Sequence, residues 1–482
     1  MRQALFAAGL GAATVLGFAP FGIFPLPVVT LALLFRFWAR APSARAAAGL
    51  GFAWGLGFFL TGVSWVYVSL HDVGGMAAPL AVVATLLFCA YLALFPALAG
   101  YLSCRLTSAD FWHNALLLAG MWTLTEALRG VLFTGFPWLA IGYSATPPNP
   151  LAGFAPVLGS HGLDFLVALL AAAFARGLRR KAAWLLLILL ASLGQFLRAM
   201  DWTQPVGQPL TVSLLQGNVP QSLKWQPENL ELSIATYLDL AQQHPAALTV
   251  LPETAIPLFF DEVPGKVLQR LTRHGDVLLG IAIRHRSGGY VNGAVALTPA
   301  QAQSYAKRHL VPFGEYVPPG FAWFFALVNI PMADFSAGPT RQPPLAIAGQ
   351  KIAPNICFED LFGNELRTAL PEATLLVNLS NTAWFGRSLA QPQHLQISRL
   401  RAIETGRMML RATNTGITAA IAPDGRVLAA LPPFTRGALI VEAQGYAGVT
   451  PYVRWGDALA FSIAIGALIP SCLAAYRRRR SG

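Results

Sequence analysis

"KIAPNICFED", residues 351–360, carries an apolar stretch into a thiol and then directly into two carboxylates. A short apolar run bounded by turn residues predicts a strand, here one that ends at Cys357 and delivers it to the following loop, where reactive side chains collect in α/β folds. A buried structural cysteine has no need of adjacent carboxylates, and a disulfide needs a second thiol. Of the four cysteines, Cys89, Cys104 and Cys472 lie in or at the ends of strongly apolar segments, with no metal-ligand spacing among them. Cys357 taken alone therefore has two readings, a buried small hydrophobe or a reactive nucleophile.

The surrounding chain has two environments. Of its 482 residues, 55% are hydrophobic and 12% charged, at a mean hydropathy of +0.52, whereas an ordinary soluble domain is about 25% charged. Apolar residues dominate positions 1–200, thin out from 201 to 450 and return at 455–476. A hydrocarbon core takes about 20 apolar residues per helix. Eight stretches are candidates: 4–18, 23–38, 46–70, 77–103, 112–131, 160–176, 181–199 and 455–476. The first reads as a retained span, not a signal peptide, because a second apolar run follows at once and no clear small-residue cleavage site intervenes.

The net charge of +12 is concentrated at the ends of these stretches. Arg36, Arg40 and Arg45 accompany the second, Arg105 follows the fourth, Arg176 to Lys181 follow the sixth, and Arg477 to Arg480 follow the last. All mark one side, so the positive-inside rule predicts cytoplasmic termini and an extracytoplasmic segment 201–454. No basic helix interleaved with stacking aromatics is present, which removes nucleic acid from the expected partners. The expected organisation is a bundle of about seven membrane helices over 1–200, a catalytic domain over 201–454, and a final membrane helix with a basic tail over 455–482.

Within 201–454 the strand-like runs are 210–219, 247–257, 276–284, 290–299, 351–360 and 373–381, with helical stretches at 228–243 and 392–410. That alternation predicts an α/β sandwich with reactive residues at strand ends. Glu253 ends "TVLPE", Lys307 sits in "SYAKRHLVPFGEYVP" and Cys357 ends "IAPNIC". A carboxylate can take a thiol proton, and an ammonium can favour the thiolate and then steady an oxyanion. Singly, Glu253 and Lys307 each read as a solvated or paired surface charge.

Together these three residues resemble the Glu-Lys-Cys triad of the nitrilase, or carbon-nitrogen hydrolase, superfamily. The whole chain is similar to the family of bacterial apolipoprotein N-acyltransferases, on "GVSWVYVS" (62–69), "LFTGFPWLAIGYS" (132–144), "QGNVPQSLKW" (216–225), "FGEYVP" (313–318), "NLSNTAWFG" (378–386) and "RATNTGITAAIAPDGRV" (411–427). Two positions depart from the family pattern: Phe358 stands where many members carry Tyr, and Thr382 where they carry Asp.

The resemblance implies an αββα nitrilase-like domain outside a bundle of about eight spans, in the bacterial inner membrane. It implies a monomeric ping-pong acyltransferase in which Glu253 is the base, Cys357 the acyl carrier and Lys307 the oxyanion partner, supported by Glu315 and Glu359. The donor would be a phospholipid, typically phosphatidylethanolamine through its sn-1 chain. The acceptor would be the N-terminal amine of a diacylglyceryl-cysteine apolipoprotein. Neither cofactor nor metal is expected, since a thioester suffices to acylate an amine and the eight histidines show no ligand spacing.

Trp225, Phe358, Trp384, Phe385 and Tyr67 are the candidate substrate contacts, and "GFAWFFALVNIP" (320–331) is either a membrane-facing acyl-chain surface or an ordinary core helix. Glu359 and Asp360 also read as caps of a helix after the strand, where acidic residues suit the dipole. Two competing readings share the triad or the bundle: a membrane-tethered amidase in which water resolves the acyl-enzyme, and a transporter or scaffold with a decayed nitrilase domain, for which the intramembrane Glu126, Arg129 and Asp164 would matter.

Overall fold

The computed structural model describes the chain except residues 109, 221–226, 286–287, 300, 319, 321–333 and 481–482. The chain divides into two compact units: one holds 1–67, 78–201 and 454–482, and the other holds 68–77 and 202–453.

The first unit is helical. Its helices begin at polar caps where the sequence supplies them. Ser43 accepts from the Ala46 amide at 3.2 Å and Asp110 from the His113 amide at 2.8 Å, each satisfying an N–H that the first turn leaves open. Close backbone approach then depends on small residues: a Cβ on Gly55 would lie 2.9 Å from the Cα of Ala93, so helix Ala44–Gly62 meets helix Ala78–Leu106 only because the side chain is missing. Ala78–Leu106, Pro150–Phe174, Lys181–Arg198 and Ala458–Arg477 are long and apolar enough to cross a membrane, and Ala44–Gly62 with Val66–Val73 makes a fifth candidate if that pair, bent by 57°, is one span. The stretch 46–70, expected as one helix, therefore breaks after Gly62, and residues 68–77 pack with the second unit.

The buried Glu126, Arg129 and Asp164 of the bundle are held by partners within it. Arg129 holds Glu126 and the carbonyls of Phe136 and Trp138, and Asp164 accepts from the Gly142 amide at 2.7 Å and lies 3.1 Å from His161. Buried charges satisfied in this way hold a loop in place, here "GFPW" (135–138) folded back on its helix.

The second unit contains two six-stranded sheets. In the first the order is Gly437–Gly448 (β12), Thr203–Gln216 (β1), Leu248–Leu251 (β2), Asp276–Arg284 (β3), Tyr290–Leu297 (β4) and Ala302–Ala306 (β5). In the second it is Val427–Ala430 (β11), Ala419–Ile421 (β10), Met408–Thr413 (β9), Leu375–Ser380 (β8), Gln350–Ile356 (β7) and Leu345–Ile347 (β6). Each sheet has a parallel trio, β1-β2-β3 and β7-β8-β9, flanked by antiparallel strands.

Alternation along the strands builds four layers. Leu214, Val250, Leu278, Ile352, Val377 and Leu410 enter one core shared by the sheets. Their neighbours Leu215, Leu251 and Leu279 face the other way, with Leu238 of helix Pro227–Gln243 and Leu271 of helix Gly265–Leu271. Ala353, Leu376 and Met409 do the same on the second sheet, against Ala402 of helix Ala390–Thr405. The result is the αββα arrangement of the nitrilase fold, with the expected strands in place. The expected helix 392–410 is shorter: Gly406, at φ +62°, ends it, and residues 408–413 form β9.

The turn after β2 seats against β3 only because Gly280 lacks a side chain. A Cβ there would lie 2.4 Å from the Pro252 carbonyl oxygen and 2.7 Å from the Cα of Glu253. Gly280→Ala should destabilise the second unit by about 1–3 kcal/mol through overpacking. The thermal midpoint of detergent-solubilised protein reads this out, and an unchanged midpoint would mean that the 252–253 backbone yields without cost.

Candidate active site

The carboxyl ends of β2, β5, β7 and β8 supply the candidate residues. Glu253 follows β2, Lys307 follows β5, Cys357 follows β7 and Asn381 follows β8. All are buried, Lys307 to 1% exposure and Glu253, Glu315 and Cys357 to 8% each. An ammonium so enclosed needs anionic partners. The Lys307 Nζ lies 3.4 Å from Glu253 Oε1 and 2.8 Å from Glu315 Oε2. Burial works against the charged amine, but the Glu315 carboxylate, then Glu253, outweigh it and hold Lys307 protonated well above the ordinary range.

Each carboxylate is fixed from more than one side. Glu253 Oε2 accepts from the Asn381 amide at 2.8 Å, and its Oε1 from the Asn292 side chain at 2.7 Å. The same Asn292 Nδ2 donates to Glu315 Oε1 at 2.7 Å, and the Val311 amide donates to Glu315 Oε2 at 2.8 Å. The sequence around Asn292 and Asn381 does not mark either residue as part of a site. An amide between two carboxylates leaves no local pattern, although "NLSN" (378–381) ends the strand that leads to Asn381.

Cys357 adopts φ +53°, a left-handed conformation that carries strain for a residue with a Cβ, and Thr254 beside the Glu253 carboxylate adopts +44°. Burial, and then the Glu253 carboxylate, push the Cys357 thiol above its ordinary ionisation, while Lys307 pulls it down. The resting group is accordingly a thiol beside a carboxylate and an ammonium, chemistry suited to base-assisted nucleophilic attack.

Glu359 does more than cap its turn. Its Oε2 accepts from the Ile356 amide at 2.7 Å, and its Oε1 accepts from the Arg308 amide at 2.7 Å, the His309 amide at 3.2 Å and the Tyr305 hydroxyl at 2.9 Å. One buried carboxylate thus ties the backbone before Cys357 to the backbone around Lys307; burial raises its own ionisation. The cap reading of Asp360 is replaced by something larger. Its carboxylate has 0% exposure and meets His394 at 2.8 Å and Arg411 at 2.9 Å.

Phe358 is buried against Phe362, with ring centroids 5.2 Å apart, and against His309 at 5.9 Å. Trp384 and Phe385 are half-buried in the turn Thr382–Phe385, where the Trp384 carbonyl accepts from the Ser69 hydroxyl at 2.8 Å. Tyr67 is half-buried in the first unit. Trp225 and residues 321–331 lie outside the described residues. Among the described residues, no group of three His, Cys, Asp or Glu side chains is placed to hold a metal ion.

Residues 10–173 match the family described as "Apolipoprotein N-acyltransferase N-terminal domain", and residues 211–452 match "Carbon-nitrogen hydrolase". An apolipoprotein N-acyltransferase of Nitrosomonas europaea is 51% identical, over 98% of this chain and 97% of that protein. Proteins of the same name from Chromobacterium violaceum and Ralstonia nicotianae are 46% and 45% identical, each over 99% of this chain and 94% of the relative.

The electrostatics make a signed prediction. The Lys307 ammonium favours the Cys357 thiolate, so Lys307→Met removes a cause that lowers the thiol's ionisation and leaves burial and Glu253, which raise it. At fixed pH below that ionisation the thiolate fraction falls, and alkylation of Cys357 by iodoacetamide should slow by on the order of tenfold or more. Alkylation at the unaltered rate would show that Lys307 does not act on the thiol.

Proposed function

The chain belongs to the apolipoprotein N-acyltransferase family, and from that premise we propose that Glu253, Lys307 and Cys357 carry a fatty acyl chain from a phospholipid to the N-terminal amine of a diacylglyceryl-cysteine apolipoprotein. The observation that carries this assignment is the buried ion pairing of Lys307 with both Glu253 and Glu315, at 3.4 Å and 2.8 Å, acting on the Cys357 thiol.

In the first half-reaction the Cys357 proton passes to Glu253 and the sulfur attacks the ester carbonyl. The Lys307 ammonium, held by Glu315 at 2.8 Å and more loosely by Glu253 at 3.4 Å, turns an N–H to the developing oxyanion. Collapse breaks the acyl-oxygen bond, Glu253 returns the proton to the departing lysophospholipid alkoxide, and the acyl chain remains on Cys357 as a thioester. In the second half-reaction the lipoprotein amine attacks that carbonyl while Glu253 takes its proton. Loss of the sulfur, which recovers a proton, forms the amide. Glu315 keeps Lys307 charged and oriented. Glu359 holds the two strand ends in register.

The eight apolar stretches of the sequence and its arginine distribution support about eight spans in the bacterial inner membrane, formed by 1–200 and 455–482 with both termini cytoplasmic and 201–454 periplasmic; among the described residues, four or five of them form helices long and apolar enough to cross a membrane. Phosphatidylethanolamine is the proposed donor, and the protein is proposed to act as a monomer. Phe358, Trp384, Phe385, Tyr67 and Trp225 are the proposed substrate contacts.

Intact-mass measurement after incubation with phosphatidylethanolamine should show a fatty-acyl gain on the wild type that hydroxylamine removes and Cys357→Ala lacks. Glu253→Gln should slow its formation by about 10²–10⁴-fold, the range of a lost general base. Addition of a diacylglyceryl-cysteine peptide should discharge the adduct as N-acyl peptide. Release as free fatty acid would favour a hydrolase, and a folded wild type that forms no adduct would overturn the Cys357 assignment.

A further inference from the structure

Behind the nucleophile lies a polar cluster that none of the chemistry above uses. Asp360 stands on the turn Cys357–Leu361, His394 and Ser398 one helical turn apart on helix Ala390–Thr405, and Arg411 on β9; none exceeds 1% exposure. His394 Nε2 lies 2.8 Å from Asp360 Oδ1 and 3.2 Å from the main-chain carbonyl oxygen of Cys357. Its Nδ1 lies 3.2 Å from Arg411 Nη2. Arg411 Nη1 also donates to Asp360 Oδ2 at 2.9 Å and to the Ser398 hydroxyl, which itself contacts Asp360 Oδ2.

The chemistry of arginine settles the tautomer. A guanidinium only donates, so the Arg411 contact takes the lone pair of His394 Nδ1. The ring proton is then on Nε2, where the two acceptors are the Asp360 carboxylate and the Cys357 carbonyl. The imidazole is neutral, in keeping with its burial and with Arg411 beside it, both of which disfavour a second cation, although Asp360 opposes them. The Cys357 carbonyl has a further donor, the Asn378 side chain of β8 at 3.2 Å.

Cys357 adopts φ +53° and departs from the extended backbone of β7 at that point. A strained conformation persists only where its surroundings over-determine it. We propose that His394 is a positioning residue for the nucleophile: held between Asp360 and Arg411, it shares its Nε2–H between the Asp360 carboxylate at 2.8 Å and the Cys357 carbonyl at 3.2 Å and so keeps Cys357 in the left-handed turn that aims its sulfur at the reacting centre. Asp360 and Arg411 act one step further back, orienting the ring and fixing its tautomer. The inference rests on Cys357 being the nucleophile but not on which acyl donor it uses.

Two substitutions separate positioning from packing. His394→Gln carries an amide N–H out to about the Nε2 position, whereas His394→Asn reaches only as far as Nδ1 and loses the Cys357 contact while keeping an acceptor for Arg411. The rate of thioester formation from phosphatidylethanolamine and the rate of Cys357 alkylation by iodoacetamide should both fall by roughly ten- to a hundredfold in His394→Asn, the scale of a displacement of about 1 Å at a reacting group. Both should stay within about threefold of wild type in His394→Gln. The donor concentration for half-maximal rate should hardly move in either.

A folded His394→Asn that reacts at wild-type rates, or a folded His394→Gln as slow as the Asn variant, overturns the proposal. If His394→Asn does not fold, the Gln variant decides: wild-type rates support the proposal and a tenfold loss refutes it. A wild type that alkylates normally but forms no thioester would fail the acyl-transfer reading alone, and the alkylation comparison still decides the role of His394.

Discussion

A lysine ammonium enclosed by protein is the constraint around which the second unit is organised. Lys307 has 1% exposure, and a charge so placed is tolerated only where counter-charges and hydrogen bonds meet it. Its counter-charges come from two distant places, Glu253 after β2 and Glu315 in the loop after β5, and both must arrive together. Removing one partner of a buried pair costs about 3–5 kcal/mol because the other charge is left uncompensated. The same three charges that stabilise one another also set the electrostatics of the Cys357 thiol. Stability and electrostatics are therefore not separable here: the interaction that makes the fold tolerate Lys307 is the one that places a carboxylate and an ammonium to act on the thiol.

The two sheets meet this constraint through side chains that bind backbone. Glu359 collects amides from before Cys357 and from around Lys307. Asn381 lends its amide to Glu253, and Asn292 divides its side-chain donor between Glu253 and Glu315. The Glu359 and Asn381 links join groups that follow strands of different sheets, whereas the apolar core shared by the sheets supplies area without direction. A hydrophobic core brings two sheets to about the right separation; buried, satisfied polar contacts set the register of the groups at their ends.

The membrane-type unit follows the same rule with different materials. Its close helix contacts are made where glycines remove side chains, and its buried Glu126, Arg129 and Asp164 are held by partners within it. Such pairing suits a scaffold more than a translocation route. The segment 68–77, which interrupts this unit in the sequence, packs with the second unit through Ser69 and the Trp384 carbonyl. Hydropathy assigned part of that segment to a helix because apolar residues continue through it, and the break after Gly62 became visible only in the folded chain.

What the amino-acid sequence by itself determined was whatever depends on neighbouring residues: the apolar stretches, the strand ending at Cys357, the carboxyl end of β2 carrying Glu253, and the family to which their order points. Half of the strands were legible. β5, with sequence AQSYA, shows no apolar run and β6 has only three residues, while the apolar content of β9 continues that of the preceding helix past Gly406. The tertiary structure alone decided which charges meet. Glu253 and Lys307 are 54 positions apart and Asp360 and Arg411 are 51 apart, and no local pattern records either pairing. Asp360 reads in sequence as a cap because an acidic residue suits the dipole at the start of a helix after the strand. It becomes an anchor for His394 and Arg411 only when helix Ala390–Thr405 and β9 are packed against it, since the energy of a buried charge is set by the groups that replace its water, and those are chosen by the fold.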